Sequence, residues 1–175
     1  DRMLNAAAKY GMKPKVHVDE LASVGGMQVC IKNKAVSVDH LANMNTNDIP
    51  ALKASDTIPT LLPGTSFFSN MPYGKGRAMI DAGLAVAMAS DYNPGSTPSG
   101  DMRFVMSLAC MKMRLLPEEA LNAVTINGAA AMCQSSTHGS IRRGERPCII
   151  MTKPVPSLAF VPYAYTTPWI ARTFF

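Results

Sequence analysis

Long apolar runs are missing from this chain: the longest, CIIM and LAVAMA, stop well short of the ~20 residues a spanning helix needs, so no transmembrane segment is readable. None of its four cysteines, Cys30, Cys110, Cys133 and Cys148, has a CxxC partner, and each sits in an apolar or helical stretch. That argues against a zinc-finger or disulfide framework and suits reduced thiols in a reducing, cytoplasmic setting. Charge is sparse at 17%, and although the net charge is +5, Lys and Arg are scattered. Their one tight cluster, Arg142, Arg143 and Arg146, lies near a turn, where a few charges are ordinarily just solvated. Neither a nucleic-acid nor a membrane partner is expected. A charged-then-apolar leader is absent too; the chain opens on Asp1 in what reads as the middle of a helix, so the N-terminus is expected to be a cut. What remains is globular composition: 175 residues, 47% of them hydrophobic, enough for one domain with a proper core.

The chain repeats a unit of helix followed by strand. LNAAAKY, stopped by Gly11 and Pro14, reads as a helix end, and KVHVDE as a strand. Residues 23 to 33 read as a helix weakened by Gly25 and Gly26, and VSVDH as the next strand. Asn45 or Thr46 can cap a helix ending near Ala54, and IPTLLPG is a third strand. After a loop rich in Phe, Pro and Gly, residues 75 to 83 form a helix leading into LAVAMASD. Strands alternating with helices at this spacing imply βαβ crossovers and a parallel sheet. Residues 101 to 113 and 117 to 133 read as two further helices, the second opened by Pro117, Glu118 and Glu119. GSIRRGERPCIIMTKP then breaks the repeat with a turn-and-strand pattern, which places a boundary between residues 1–138 and 139–175. From Ser157 to Phe175 no periodicity is reliable.

Three of these strands end in ionisable residues: His17 with Glu20 three positions on, His40, and Asp91 at the end of LAVAMASD. An apolar run bounded by turn residues fits a strand buried on both faces, and acidic or imidazole groups at the carboxyl ends of parallel strands commonly carry chemistry. Imidazole and carboxylate are common ligands for zinc or iron. Each residue alone also has a plainer reading. A strand-end histidine is often a hydrogen-bonded structural residue, Asp91 before Asn-Pro-Gly could cap its turn, and His138 in SSTHGS reads as a solvated loop residue.

KVHVDE, VSVDHL, TLLPG and above all ASDYNPGS resemble the C-terminal half of the imidazolonepropionase family, enzymes of the amidohydrolase superfamily in histidine degradation. The likeness continues through PEEALNAVTINGAAAM to HGSIRRG. It implies the C-terminal half of a metal-dependent (β/α)8 TIM barrel with a short β-sandwich segment at the C-terminus. It implies one divalent metal, zinc or iron, held by His17 and Asp91, with Glu20, His40 and Asp91 catalytic. Glu20, Asn93, Gly95 and Ser96 would bind a small-molecule substrate, and a homodimer of a longer parent is compatible with it. The expected reaction is hydrolysis of the cyclic amide of 4-imidazolone-5-propanoate to N-formimidoyl-L-glutamate. Two features depart from the family. Its first-strand HxH pair is absent, the three histidines here being spaced otherwise, and four strands cannot close an eight-stranded barrel. The chain is thus expected to be a fragment. Another amidohydrolase acting on a cyclic amide or a deaminated substrate, or an inactive fragment, are the alternatives.

Overall fold

In the computed structural model, which describes residues 1–144 and 148–175, four short parallel strands lie side by side in the order in which the chain makes them. α1 (Arg2–Ala8) leads into β1 (Lys15–Val18), α2 (Gly26–Lys32) into β2 (Ser37–His40), and α3 (Ile49–Lys53) into β3 (Ile58–Leu61). α4 (Pro63–Phe68) and α5 (Gly76–Asp81) then precede β4 (Ala87–Met88), after which come α6 (Met102–Met113), α7 (Pro117–Val124) and α8 (Ile126–Ala131). Because strand order follows sequence order, every crossover steps the same way. The sheet is singly wound, without the reversal that marks a doubly wound fold.

The register gives this sheet two unlike faces. In-register neighbours of a parallel pair share a face, and successive residues alternate. Lys15, Ser37 and Ile58 therefore make one row, and His17, Asp39, Thr60 and Ala87 the next row of the same face. That face is polar: Lys15 Nζ donates to Ser37 Oγ and to Ala131 O at 3.0 Å, and Ser37 Oγ donates to Asp39 Oδ1 at 2.7 Å. The opposite face carries Val16, Val38 and Pro59, then Val18, Leu61 and Met88. Val18, Val38, Leu61 and Met88 are buried in one core with Met27 and Cys30 of α2, Leu52 of α3 and Met79 of α5. Glycine lets the chain close over Leu61. A Cβ on Gly74 would come within 2.7 Å of Leu61 Cδ2, and one on Gly76 within 2.9 Å of Leu115 Cδ1 and 3.2 Å of Leu61 Cδ1.

Several elements differ from the sequence reading. IPTLLPG ends as a strand at Leu61, because Pro63 opens α4 in the first-turn position proline tolerates; the segment expected as a loop is a short helix. Among the described residues LAVAMA pairs on one side only, and its ladder covers two residues, although Val86, Ala87 and Met88 are all buried. The expected helix 117–133 breaks at Thr125 (φ −119°, ψ −88°), whose hydroxyl donates to Leu121 O at 2.7 Å. Asn127 Nδ2 then ties α8 to Val86 O at 2.9 Å. The stretch 23–33 narrows to α2 because Gly25 is left-handed at φ 82°. Asn45 caps a 3₁₀ turn over Thr46–Asp48, as its side chain accepts from Asn47 N, before α3 begins. Cys133 and Cys148, expected within apolar or helical stretches, are exposed.

After the helices, β5 (Ile149–Thr152) pairs antiparallel with β6 (Ile170–Phe174) in a separate two-stranded ribbon. The change of character after residue 138 is thus a β element whose second strand comes from the tail. Between the two, α9 (Phe160–Tyr163) packs on α6: Ser107 Oγ donates to Pro162 O at 2.6 Å, and Val161, Ala164 and Trp169 join the main core. Arg142 and Arg143 are exposed, whereas Arg146 lies outside the described residues. Among the described residues no helix is long and apolar enough to cross a membrane.

Leu61 is fully buried between two glycines that cannot follow a shrinking side chain. Leu61→Ala is expected to destabilise the fold by about 2–5 kcal/mol, read from the shift in a urea or thermal unfolding midpoint. A loss below about 1 kcal/mol would mean that the sheet's apolar face is not the core.

Candidate active site

The sheet's carboxyl-terminal ends are turned by residues with unusual backbones. Asp19 after β1 (φ 51°), His40 and Leu41 at the end of β2 (φ 77° and 59°) and Asp91 after β4 (φ 53°) all adopt left-handed conformations without being glycine. Asp and His tolerate this region better than most side chains. Each such residue still costs about 1–3 kcal/mol and persists only where its surroundings over-determine it.

At His40 this geometry decides what meets what. By strand alternation His40 belongs to the row of Val18 and Leu61 on the apolar face, opposite His17. The left-handed turn releases it from that row, and its Nε2 lies 2.8 Å from His17 Nδ1, with ring centroids 4.8 Å apart and planes tilted by 50°. One of these nitrogens donates and the other accepts, which requires at least one imidazole to be neutral. Glu20 Oε2 stands 3.7 Å from the same His40 Nε2. His40 is 6% exposed, whereas His17 is exposed on the polar face. Burial is the main influence on His40 and pushes its pKa below the ordinary 6.5; the Glu20 and Asp91 carboxylates pull the other way, and His17 adds to the lowering. His40 is therefore a neutral imidazole at pH 7, and Asp91 is near enough for its charge to be felt there.

Asp91 is held from both ends. Its Oδ2 accepts from Thr65 Oγ1 at 2.6 Å, and its backbone carbonyl accepts from Asn93 Nδ2 at 2.7 Å. Asn93 also gathers the loop that follows: Gly95 N and Ser96 N both donate to its Oδ1 at 2.8 Å, and its Nδ2 lies 2.9 Å from Ser96 Oγ. Asn93, Gly95 and Ser96 thus form one self-contained turn directly after Asp91. His138 lies apart in sequence after α8, partly exposed in its loop, with Nδ1 2.8 Å from Thr137 Oγ1.

Three neighbours carried no sequence signal. Thr65 and Thr97 are buried hydroxyls beside Asp91, and Thr65 sits where a loop was expected. Asp19 is 6% exposed; Ser23 Oγ donates to its Oδ2 at 3.3 Å, Oδ1 is buried with no hydrogen-bond partner among the described residues, and burial above all raises its pKa. Asn43 fastens this exit, its backbone N donating to Asp19 O at 2.8 Å and its side chain to Glu20 O at 2.6 Å. A metal finds part of a donor set here. Imidazole and carboxylate suit zinc or iron, and only Nδ1 of His17 is engaged by His40, but a catalytic zinc centre takes three protein ligands. Among the described residues no group of three or more His, Cys, Asp or Glu side chains is arranged to hold an ion.

The His40 environment makes stability pH-dependent. Above pH 6.5 the imidazole is neutral whether the chain is folded or not. As the pH falls through 6.5 the unfolded chain takes up a proton that folded His40 resists, so stability is lost on acidification and levels off below the folded pKa. NMR titration of the His40 ring is expected to give a midpoint below 6.5. Glu20→Gln should lower it further by removing a carboxylate that favours the imidazolium; an upward shift would contradict this electrostatic picture.

A model described as "Amidohydrolase family" matches residues 1–174. The imidazolonepropionase of Christiangramia forsetii is 52% identical over 95% of this chain and 40% of its own length. Those of Flavobacterium psychrophilum and Thermoanaerobacter pseudethanolicus are 48% and 40% identical over 99% and 94% of the chain, and 42% and 39% of their lengths. The chain thus spans about 40% of the curated relatives it matches. Among solved structures, an adenosine deaminase from Xanthomonas campestris with bound zinc aligns over 99% of the chain and 46% of its own, with a TM-score of 0.81 at 15% identity. An A. niger ochratoxinase aligns over 98% and 42%, with a TM-score of 0.77 at 17% identity. These two likenesses concern the fold alone. The family match over nearly the whole length, and homologues of this identity, make the chain a member of the amidohydrolase family.

Proposed function

We propose that this chain forms the C-terminal half of a metal-dependent (β/α)8 barrel whose reaction is hydrolysis of the ring amide of 4-imidazolone-5-propanoate to N-formimidoyl-L-glutamate. The observation that carries the reading is the gathering of His17, Glu20 and His40 at the ends of adjacent parallel strands, with His40 in the field of Asp91. The names of its homologues give that site a substrate. The singly wound order of the sheet supports the barrel, and the ribbon of β5 and β6 supports a sandwich segment contributed from the C-terminus.

In this reading His17 and Asp91 hold a divalent metal, zinc or iron, whose remaining ligands come from outside this chain. When bound, the ion supplies Lewis acidity toward the ring carbonyl and a water nucleophile. The chain's own groups do the proton work. Water adds its oxygen to the ring carbonyl carbon while the Asp91 carboxylate takes one of its protons, and the same proton passes to the ring nitrogen as the C–N bond breaks. His40, neutral at pH 7, hydrogen-bonds the reacting oxygen, and Glu20 beside it orients the water and contacts the imidazolone ring. The turn around Asn93, with Gly95 and Ser96, faces the substrate's propionate end.

The test is made on the chain joined to the N-terminal portion that it does not cover. Asp91→Asn is expected to lower turnover by about 10²–10⁴-fold or more, with reduced bound metal and little change in unfolding midpoint. Near-wild-type turnover with a full metal complement would remove Asp91 from the mechanism. The 175-residue chain by itself is expected to be inactive and to self-associate in sedimentation, because β1 and β4 each leave a strand edge unpaired among the described residues. A monodisperse monomer that turns over substrate would overturn the half-barrel reading.

A further inference from the structure

The two hydroxyls beside Asp91 form a chain whose direction is determined. Thr65 Oγ1 lies 2.6 Å from Asp91 Oδ2 and 2.8 Å from Thr97 Oγ1. A hydroxyl has one proton to give, and an ionised carboxylate can only accept. Thr65 therefore spends its proton on Asp91 and accepts from Thr97. With Thr65 2% exposed and Thr97 4%, neither hydroxyl can turn to solvent instead.

The surrounding backbone is shaped to keep this chain in place. Thr65 sits in the first turn of α4, next to Gly64, where a Cβ would come within 2.9 Å of Thr97 Cγ2 and 3.3 Å of Ser90 O. Without a side chain at that position α4 can lie directly against the loop after β4. Thr97 is carried back to it by an isolated antiparallel bridge, Asn93 N donating to Thr97 O at 3.0 Å and Thr97 N to Asn93 O at 3.4 Å. Since Asn93 Nδ2 also donates to Asp91 O, the contacts close into a circuit. It runs from the Asp91 carboxylate through Thr65 and Thr97 to Asn93 and back to the Asp91 carbonyl. This circuit holds Asp91 in its left-handed conformation from both ends.

We infer that Thr65 is a positioning residue: its hydroxyl, oriented by Thr97, occupies Asp91 Oδ2 and so assigns Oδ1 to the reacting centre. The inference rests on the role proposed for Asp91. Groups that orient a metal-binding or reacting side chain typically account for 10–100-fold in metal affinity or activity. Thr65 does so from a helix that the sequence did not announce.

The test compares Thr65→Val, Thr65→Ser and the double variant Thr65→Val/Thr97→Val in the chain joined to its N-terminal portion. Turnover, KM, zinc affinity by chelator competition and unfolding midpoint are measured. Thr65→Val keeps the shape and removes the donor; turnover and zinc affinity should each fall by about 10–100-fold at an unchanged KM. Thr65→Ser, which keeps the donor, should recover most of both. The double variant strands no buried hydroxyl, so its unfolding midpoint should stay near wild type while the loss of turnover persists. Wild-type turnover and zinc affinity in Thr65→Val, or a loss in the single variant that vanishes in the double, would overturn the inference. If Asp91→Asn itself keeps activity, the proposed role of Asp91 fails; if Asp91→Asn is inactive and Thr65→Val is not, only the positioning role fails.

Discussion

Side-chain alternation in a parallel strand is the constraint on which this site depends, and the site exists where the alternation is broken. With regular β geometry to its end, β2 would send His40 into the apolar core beside Val18 and Leu61. The polar face would then present His17, Asp39 and Thr60 and no second imidazole. A left-handed His40 followed by a left-handed Leu41 ends the alternation one residue early and turns the ring to meet His17. Leu41 meanwhile enters the core as a fully buried residue. The same two residues thus terminate the strand, deliver a catalytic candidate to one side and an apolar anchor to the other.

Strain of this kind has to be offset, and the sheet's apolar face is where the offset is found. Four left-handed non-glycine residues at the strand exits cost several kcal/mol in all, at about 1–3 kcal/mol each. A single buried Leu or Met contributes about 1.5–3 kcal/mol, and Met27, Leu41, Leu52, Leu61 and Met79 are all fully buried. Local hydrogen bonds direct that stabilisation to the exits. Asn43 binds the carbonyls of both Asp19 and Glu20, and Asn93 binds the carbonyl of Asp91. Rigid apolar packing on one face and side-chain amides on the other hold the exits where the chemistry is proposed.

The sequence was most legible where composition and periodicity act over whole segments. Alternating helix and strand predicted the parallel sheet, and the break after Gly139 predicted a separate β element. Strand-end position singled out His17, His40 and Asp91. What it hid depends on single backbone angles or on partners distant in sequence. Parity alone would have put His17 and His40 on opposite faces, and no propensity announces φ 77° at a histidine. Thr65 and Thr97 are ordinary threonines until α4 folds against the loop after β4, 32 residues apart in the chain. The tail from Ser157 lacked periodicity because its short elements are fixed by contacts with α6 and β5 rather than by a repeat of their own.

Electrostatics links these features into one working arrangement. His40 has three carboxylates in its field, Glu20, Asp91 and Asp39, and each favours the imidazolium; burial outweighs them. A neutral ring can give one hydrogen bond and receive one, whereas an imidazolium could only donate and would lose the option of accepting from His17. In the proposed reaction Glu20 and Asp91 serve as acceptors toward water beside this neutral ring. At Asp91 the device is a buried hydroxyl, Thr65 Oγ1, which donates to Oδ2 at 2.6 Å. The candidate site thus combines two unlike devices, burial at the His40 ring and a buried hydroxyl chain at the Asp91 carboxylate. The proposed reaction uses the ring to hydrogen-bond and the carboxylate to accept a proton, two roles set by unlike surroundings.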